Sequence, residues 1–234
     1  MRREPTNILL LLVGGALVKI TLNGTYLRYV KPAVKPWVLA AGLVAIGLAA
    51  IAIARDITAH RPADDHQHTG RWTWLLTLPV LAIVLIAPPA LGADTVLRTG
   101  NRTAPTMARQ RTATFPPLPN KPVIPLAMSD FITRSVWDAS NSLNHRTVAL
   151  TGFVVHENET TYVARLVITC CAADATPMKV ALTGHQADQL PNDQWIEATG
   201  ILHPNSATTA NGYTPTITVT SLTTVDPPPD PYEY

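Results

Sequence analysis

Charge is scarce in this chain. Only 15% of its 234 residues are Asp, Glu, Lys or Arg, well below the roughly 25% of an ordinary soluble domain. Mean hydropathy is slightly positive. Cysteine is scarcer still: two residues, side by side at Cys170 and Cys171. Adjacent cysteines cannot build a disulfide framework, and a bond between them would close a strained small ring. Free thiols or a bound ligand are the alternatives. The net charge of +2 is too small to argue for nucleic acid. No Cys-x-x-Cys, Walker loop, Ser/His/Asp set or paired-carboxylate spacing occurs, so the chain reads as no enzyme.

What is present is unevenly distributed. The long apolar runs lie before residue 93, and the regular alternation lies after residue 146. The expected class is α+β: about three transmembrane helices, then a small, mostly β C-terminal domain. Residues 1–93 carry apolar segments at about 7–22, 37–54 and 72–92. The first follows a basic start and ends near Lys19, which can snorkel to headgroups. It reads as an uncleaved anchor. The second has no charge and reaches roughly 27 Å at 1.5 Å per residue, close to the ~30 Å core of a bilayer. Its small residues, Gly42 and Gly47 among them, would admit a neighbouring helix closely. The third is again uncharged, with Trp72 and Trp74 at one end as interfacial anchors. Basic residues flank both sides, so charge does not orient the spans. The Thr- and Pro-rich, nearly lysine-free C-terminal part is read as extracytoplasmic on a multi-pass cell-membrane protein.

Residues 94–128 hold a run of prolines without apolar periodicity. They are expected to form an extended tether. The domain at 129–234 opens with a helix capped by Ser129, whose face would carry Ile132, Val136, Ala139 and Leu143 as far as Asn144. Five strands follow: around 148–154, Tyr162–Cys171, Met178–Thr183, Trp195–Leu202 and Thr216–Leu222. Turn residues at Asn158, Pro191-Asn192-Asp193 and Asn205–Gly212 separate them. Gly152 and Gly200 fall inside strands, where a small barrel needs sharp bends. One helix followed by five strands suggests an OB-like five-stranded barrel. Its strands lack a basic, aromatic face, which argues against nucleic acid as a partner.

The stretch Arg165-Leu-Val-Ile-Thr-Cys-Cys-Ala-Ala-Asp174 is the chemical centre of the sequence. Consecutive residues of a strand point to opposite faces. Cys170 and Cys171 therefore act together only if the strand ends or bulges there. Three readings remain open: small buried hydrophobes, a metal site with Asp174 or a histidine, or thiol chemistry. Thiolates and imidazoles suit zinc or copper(I). Asp64, Asp65, His66 and His68, with His60, form a second polar loop that could hold a divalent cation or simply be solvated. The ending Asp230-Pro231-Tyr232-Glu233-Tyr234 is read as packing back on the domain.

Three of these stretches, Arg165–Asp174, Trp195-Ile-Glu-Ala-Thr-Gly200 and Asp230–Tyr234, together with the apolar segments and the His-bearing loop, resemble the YcgQ-type family of bacterial membrane proteins. Its members are described as permease subunits with a C-terminal domain of unknown function. The resemblance covers nearly the full length. Cys171-Ala-Ala-Asp174 matches well; Cys170 falls where some relatives carry histidine. In the family the loop around His60, His66 and His68 is often richer in histidine. The resemblance marks Arg165, Trp195, Gly200, Asp230, Pro231 and Tyr232 as motif positions. It implies an accessory subunit that works with a multi-spanning permease, and it favours the reading of Cys170, Cys171 and Asp174 as a site for zinc, another divalent metal or some other small ligand. The alternative is a membrane-anchored metal or ligand sensor that acts without a permease.

Overall fold

A computed structural model of the chain describes residues 4–58, 89–99, 115–184 and 187–234. The chain divides into two compact units, Met1–Ala90 and Leu91–Tyr234.

The first unit holds helices α1 (Glu4–Leu22) and α2 (Lys35–Thr58). Both are built mainly from Leu, Ile, Val, Ala and Gly, with no proline beyond their first turns. The chain leaves α1 through Gly24, whose φ of 80° suits glycine. The helices meet where neither has a side chain. A methyl group at Gly14 would sit 2.8 Å from the Gly42 carbonyl oxygen, and one at Gly42 would sit 2.9 Å from Val18. Close backbone approach at small residues is how apolar helices pair in lipid.

The described residues bear on two of the three expected spans. Among the described residues one helix, Pro32–Thr58, is long and apolar enough to cross a membrane, while Thr6–Leu22 is a shorter apolar helix. The segment at 72–92 falls almost entirely outside the described residues. The helix of the second segment extends beyond 37–54 because Pro36 is tolerated in the first turn of α2 and the helix runs on past the end of the apolar stretch, through Arg55 and Asp56, to Thr58.

The second unit begins with helix α3 (Ala93–Thr99). It contains β1 (Val123–Leu126), α4 (Met128–Trp137), β2 (Thr147–Glu157), β3 (Thr160–Val167), β4 (Thr176–Thr183), β5 (Trp195–Leu202), β6 (Thr216–Thr224) and β7 (Tyr232–Glu233). All seven strands belong to one sheet. Five of them pair in a circuit. β2 is antiparallel to both β3 and β5, β3 to β4, and β5 to β6, while β4 and β6 run parallel. One edge of β2 stays with β5 over Thr147–Phe153. Its other edge pairs with β1 over Thr147–Leu150 and with β3 over Phe153–Glu157. Gly152 stands at that changeover, where a methyl group would lie 2.4 Å from the Ala164 carbonyl oxygen. Gly200 marks a bulge between β5 and β6, and a methyl there would lie 2.5 Å from the Thr218 carbonyl oxygen.

The alternating apolar residues fill the inside. Val148, Leu150, Val154, Val163, Val180, Ile196 and Ile217 are fully buried, and Phe131 and Ile132 of α4 close over them. Four boundaries differ from the sequence reading. Helix α4 starts after Ala127, not at a Ser129 cap, and ends at Trp137. Asp138 stops it: its carboxylate accepts the backbone amides of Ser140 (2.9 Å) and Ser142 (3.1 Å) and both hydroxyls. Leu143 is still buried, but from the turn that follows. β3 ends at Val167, not at Cys171. The stretch read as tether, 94–128, contains most of α3 and all of β1. Ala93 and Val96 of α3 are buried, and the Asp193 carboxylate accepts the Ala93 amide at 2.6 Å.

Candidate functional site

The Cys loop starts where β3 loses its ladder. Three successive amides find three different acceptors. Ile168 donates to the Glu233 carbonyl at 2.9 Å. Thr169 donates to Asp174 Oδ1 and Cys170 to Asp174 Oδ2, each at 2.8 Å. Asp174 thus replaces a neighbouring strand and folds the chain over itself. Its own amide donates to the Cys171 carbonyl at 3.0 Å, within a short 3-10 turn at Ala172–Asp174.

That reversal removes the opposite-face problem a strand would impose on the two cysteines. The Cys170 and Cys171 sulfurs are 3.6 Å apart. Both thiols are free, Cys170 exposed and Cys171 partly so. The two Sγ atoms and an Asp174 carboxylate oxygen all lie within 4.8 Å of one another. The Asp174 carboxylate and then Cys171, both beside the Cys170 thiol, push its pKa up to about 11. The neighbouring Cys170 thiol holds the Asp174 carboxyl below its ordinary value; burial opposes this, and the Thr169, Cys170 and Cys171 amides add to the lowering. Two thiols and a carboxylate form a donor set for zinc or a softer ion. With zinc–sulfur bonds of ~2.3 Å, the sulfur–sulfur edge of a tetrahedron is about 3.8 Å, close to the separation here.

No histidine of the described residues joins this group. His156 is held on both ring nitrogens, Nδ1 with the Thr161 hydroxyl (3.1 Å) and Nε2 with the Leu190 carbonyl (2.6 Å). His60, His66 and His68 lie outside the described residues.

The motif positions gather beside the loop. Arg165 lies with its guanidinium 4.9 Å from the Trp195 ring centre. It donates to the Asp230 carbonyl (3.0 Å) and to the Thr151 carbonyl (3.4 Å). Burial lowers its pKa, while Glu233, Asp230 and Tyr234 oppose that shift. Trp195 meets Phe153 edge-on at 5.7 Å. Pro231 leads directly into β7, where Tyr232 is buried and pairs with Leu166. Gly200 stands apart from this group, at the β5–β6 bulge.

Glu233 is the functional candidate that sequence reasoning missed. Its carboxylate accepts the amides of Met128 (2.7 Å) and Ser129 (2.9 Å). It therefore caps α4, whose own Ala127 offers no side-chain cap. No local pattern reveals a cap that lies 105 residues from the helix it serves.

Residues 106–234 match the DUF1980 C-terminal domain. The chain belongs to the DUF1980 family. The match takes in every strand of the sheet and the Cys loop; α1 and α2 precede it. No curated protein sequence matches the chain. A crystal structure provisionally named as an aspartyl-tRNA synthetase from Leishmania major Friedlin aligns with 48% of this chain and 22% of its own, at 8% identity and a TM-score of 0.26. That likeness is too slight to bear on fold or function.

Proposed function

We propose that this DUF1980 protein is a non-catalytic, membrane-anchored accessory subunit whose C-terminal domain binds a divalent metal ion, zinc first, through Cys170, Cys171 and Asp174. The observation that carries this is the convergence of two sulfurs and a carboxylate oxygen within 4.8 Å, on a loop that Asp174 itself folds. The closed strand pairing, with its parallel β4–β6 contact, supports an OB-like barrel as the carrier.

Anchoring is supported by α2, which exposes Trp37, Leu43, Val44, Leu48, Ile51 and Ile57. Such large exposed apolar side chains on a helix of about 36 Å (24 residues at ~1.5 Å each) suit a bilayer better than water. The resemblance to the YcgQ-type family supplies the partner, a multi-spanning permease to which the domain would present or withhold its ion. An extracytoplasmic placement of the domain is part of the same proposal.

Metal content of the full chain, purified in mild detergent, tests the reading. The wild type should carry close to one equivalent of zinc, and Cys170→Ser/Cys171→Ser should carry almost none. Equal content in the two proteins, or none in either, removes the site. Co-purification of a multi-spanning partner supports the permease role. A metal-loaded protein that is recovered alone supports an independent sensor.

A further inference from the structure

The Cys loop and the C-terminal segment share a seam. Along Ile168-Thr169-Cys170, the first amide is taken by the backbone of Glu233 and the next two by the side chain of Asp174. No residue separates the end of the β7 contact from the start of the candidate metal loop. Glu233 is engaged twice. Its carbonyl holds the loop's entry at Ile168, and its carboxylate caps α4 at Met128 and Ser129. Two further contacts hold the segment down. Arg165 donates to the Asp230 carbonyl, and the Tyr232 ring is buried with its hydroxyl accepting the Leu91 amide at 3.1 Å.

We propose that Asp230–Tyr234 is a metal-responsive clasp: ion binding at Cys170, Cys171 and Asp174 strengthens the docking of this segment, and docking strengthens ion binding. The proposal rests on the metal reading above and adds its regulation. A bound ion fixes Asp174, which accepts the Thr169 and Cys170 amides. That restricts Ile168, whose amide must stay aligned for the Glu233 carbonyl. The reverse path is the same set of bonds, and coupling of two binding events is reciprocal by thermodynamic necessity. The consequence reaches outside the loop. When β7 lifts, α4 loses its cap and a buried tyrosine becomes exposed. A partner that reads this face would therefore distinguish loaded from empty protein. Tyr232 and Glu233 are positioning residues in this scheme and touch no ion.

Two measurements on the full chain in detergent test it, with zinc alone as the probe. In competition with a chromophoric chelator, Tyr232→Ala should bind zinc about tenfold more weakly than wild type, the scale of losing an outer partner of a metal site. Tyr232→Phe keeps the ring and should stay within about threefold of wild type on that scale. In wild type, zinc should slow hydrogen exchange in the peptides containing Ile168 and Tyr232–Glu233, and Cys170→Ser/Cys171→Ser should abolish the slowing. The exchange result stands even if Tyr232→Ala fails to fold. Zinc bound by wild type with unchanged exchange in both peptides would overturn the clasp and leave the metal site standing. Wild type that binds no zinc would overturn both.

Discussion

Asp138 shows how one side chain sets a boundary that periodicity misses. Burial alone would raise its pKa, but the hydroxyls and amides of Ser140 and Ser142 outweigh that and hold it at about 2, down from the usual 3.8. A carboxyl whose folded pKa is depressed adds stability above the unfolded value and loses it as pH falls through the folded one. Thermal unfolding should therefore show a loss of stability between about pH 4 and pH 2 that Asp138→Asn lacks. At neutral pH the Asn variant should be less stable by about 1 kcal/mol, the scale of one ordinary net hydrogen bond. The same reasoning explains the Cys loop. Asp174 ends β3 from four residues beyond Cys170, and the apolar alternation through Ile168 gives no sign of it. Asp174→Ala should leave the amides of Thr169 and Cys170 to solvent. Proteolysis within 168–174 should then be faster while the melting temperature falls only modestly.

Elements were legible where local chemistry agreed with the fold. Strands β2 to β6 stand close to where alternation and turn residues place them. Asn158, Asp193 and Asn205 adopt the positive φ that such turn residues tolerate (55°, 68° and 58°). The glycines within strands were legible as bends, and the structure adds what each bend avoids. Gly200→Ala should cost about 2 kcal/mol, because the methyl meets backbone at Thr218 that cannot swing aside; Gly47→Ala, where a methyl meets nothing within 4 Å, should cost no stability. The two shortest strands were not legible. β1 and β7 are four and two residues long, and each pairs in parallel with a distant partner. Neither alternation nor turn chemistry operates at that length. Helix α4 was legible at Ile132 and Val136 but not as far as Ala139 and Leu143, which lie beyond its end at Trp137; its cap was not legible, since Glu233 arrives from the other end of the domain. Glu233→Ala should lower stability by about 1 kcal/mol, as loss of an N-terminal cap does. Urea denaturation would measure it.

At the scale of the whole molecule, the structure divides the chain at Ala90. Composition did not report that α3 and β1 belong to the second part, because short buried elements between prolines look like a linker. The anchoring proposal has its own test. The protein should resist alkaline extraction from membranes, and Val44→Lys/Leu48→Lys should release it, since each charge at mid-helix opposes insertion by about 3 kcal/mol.

The central claim is that two adjacent cysteines and one aspartate, brought together by the end of a strand, hold a metal ion. X-ray absorption at the zinc edge of the purified, zinc-loaded protein tests this most directly. The account predicts two sulfur scatterers at about 2.3 Å, with oxygen or nitrogen completing the shell, and their loss in Cys170→Ser/Cys171→Ser. A wild-type spectrum with only oxygen and nitrogen neighbours would contradict it.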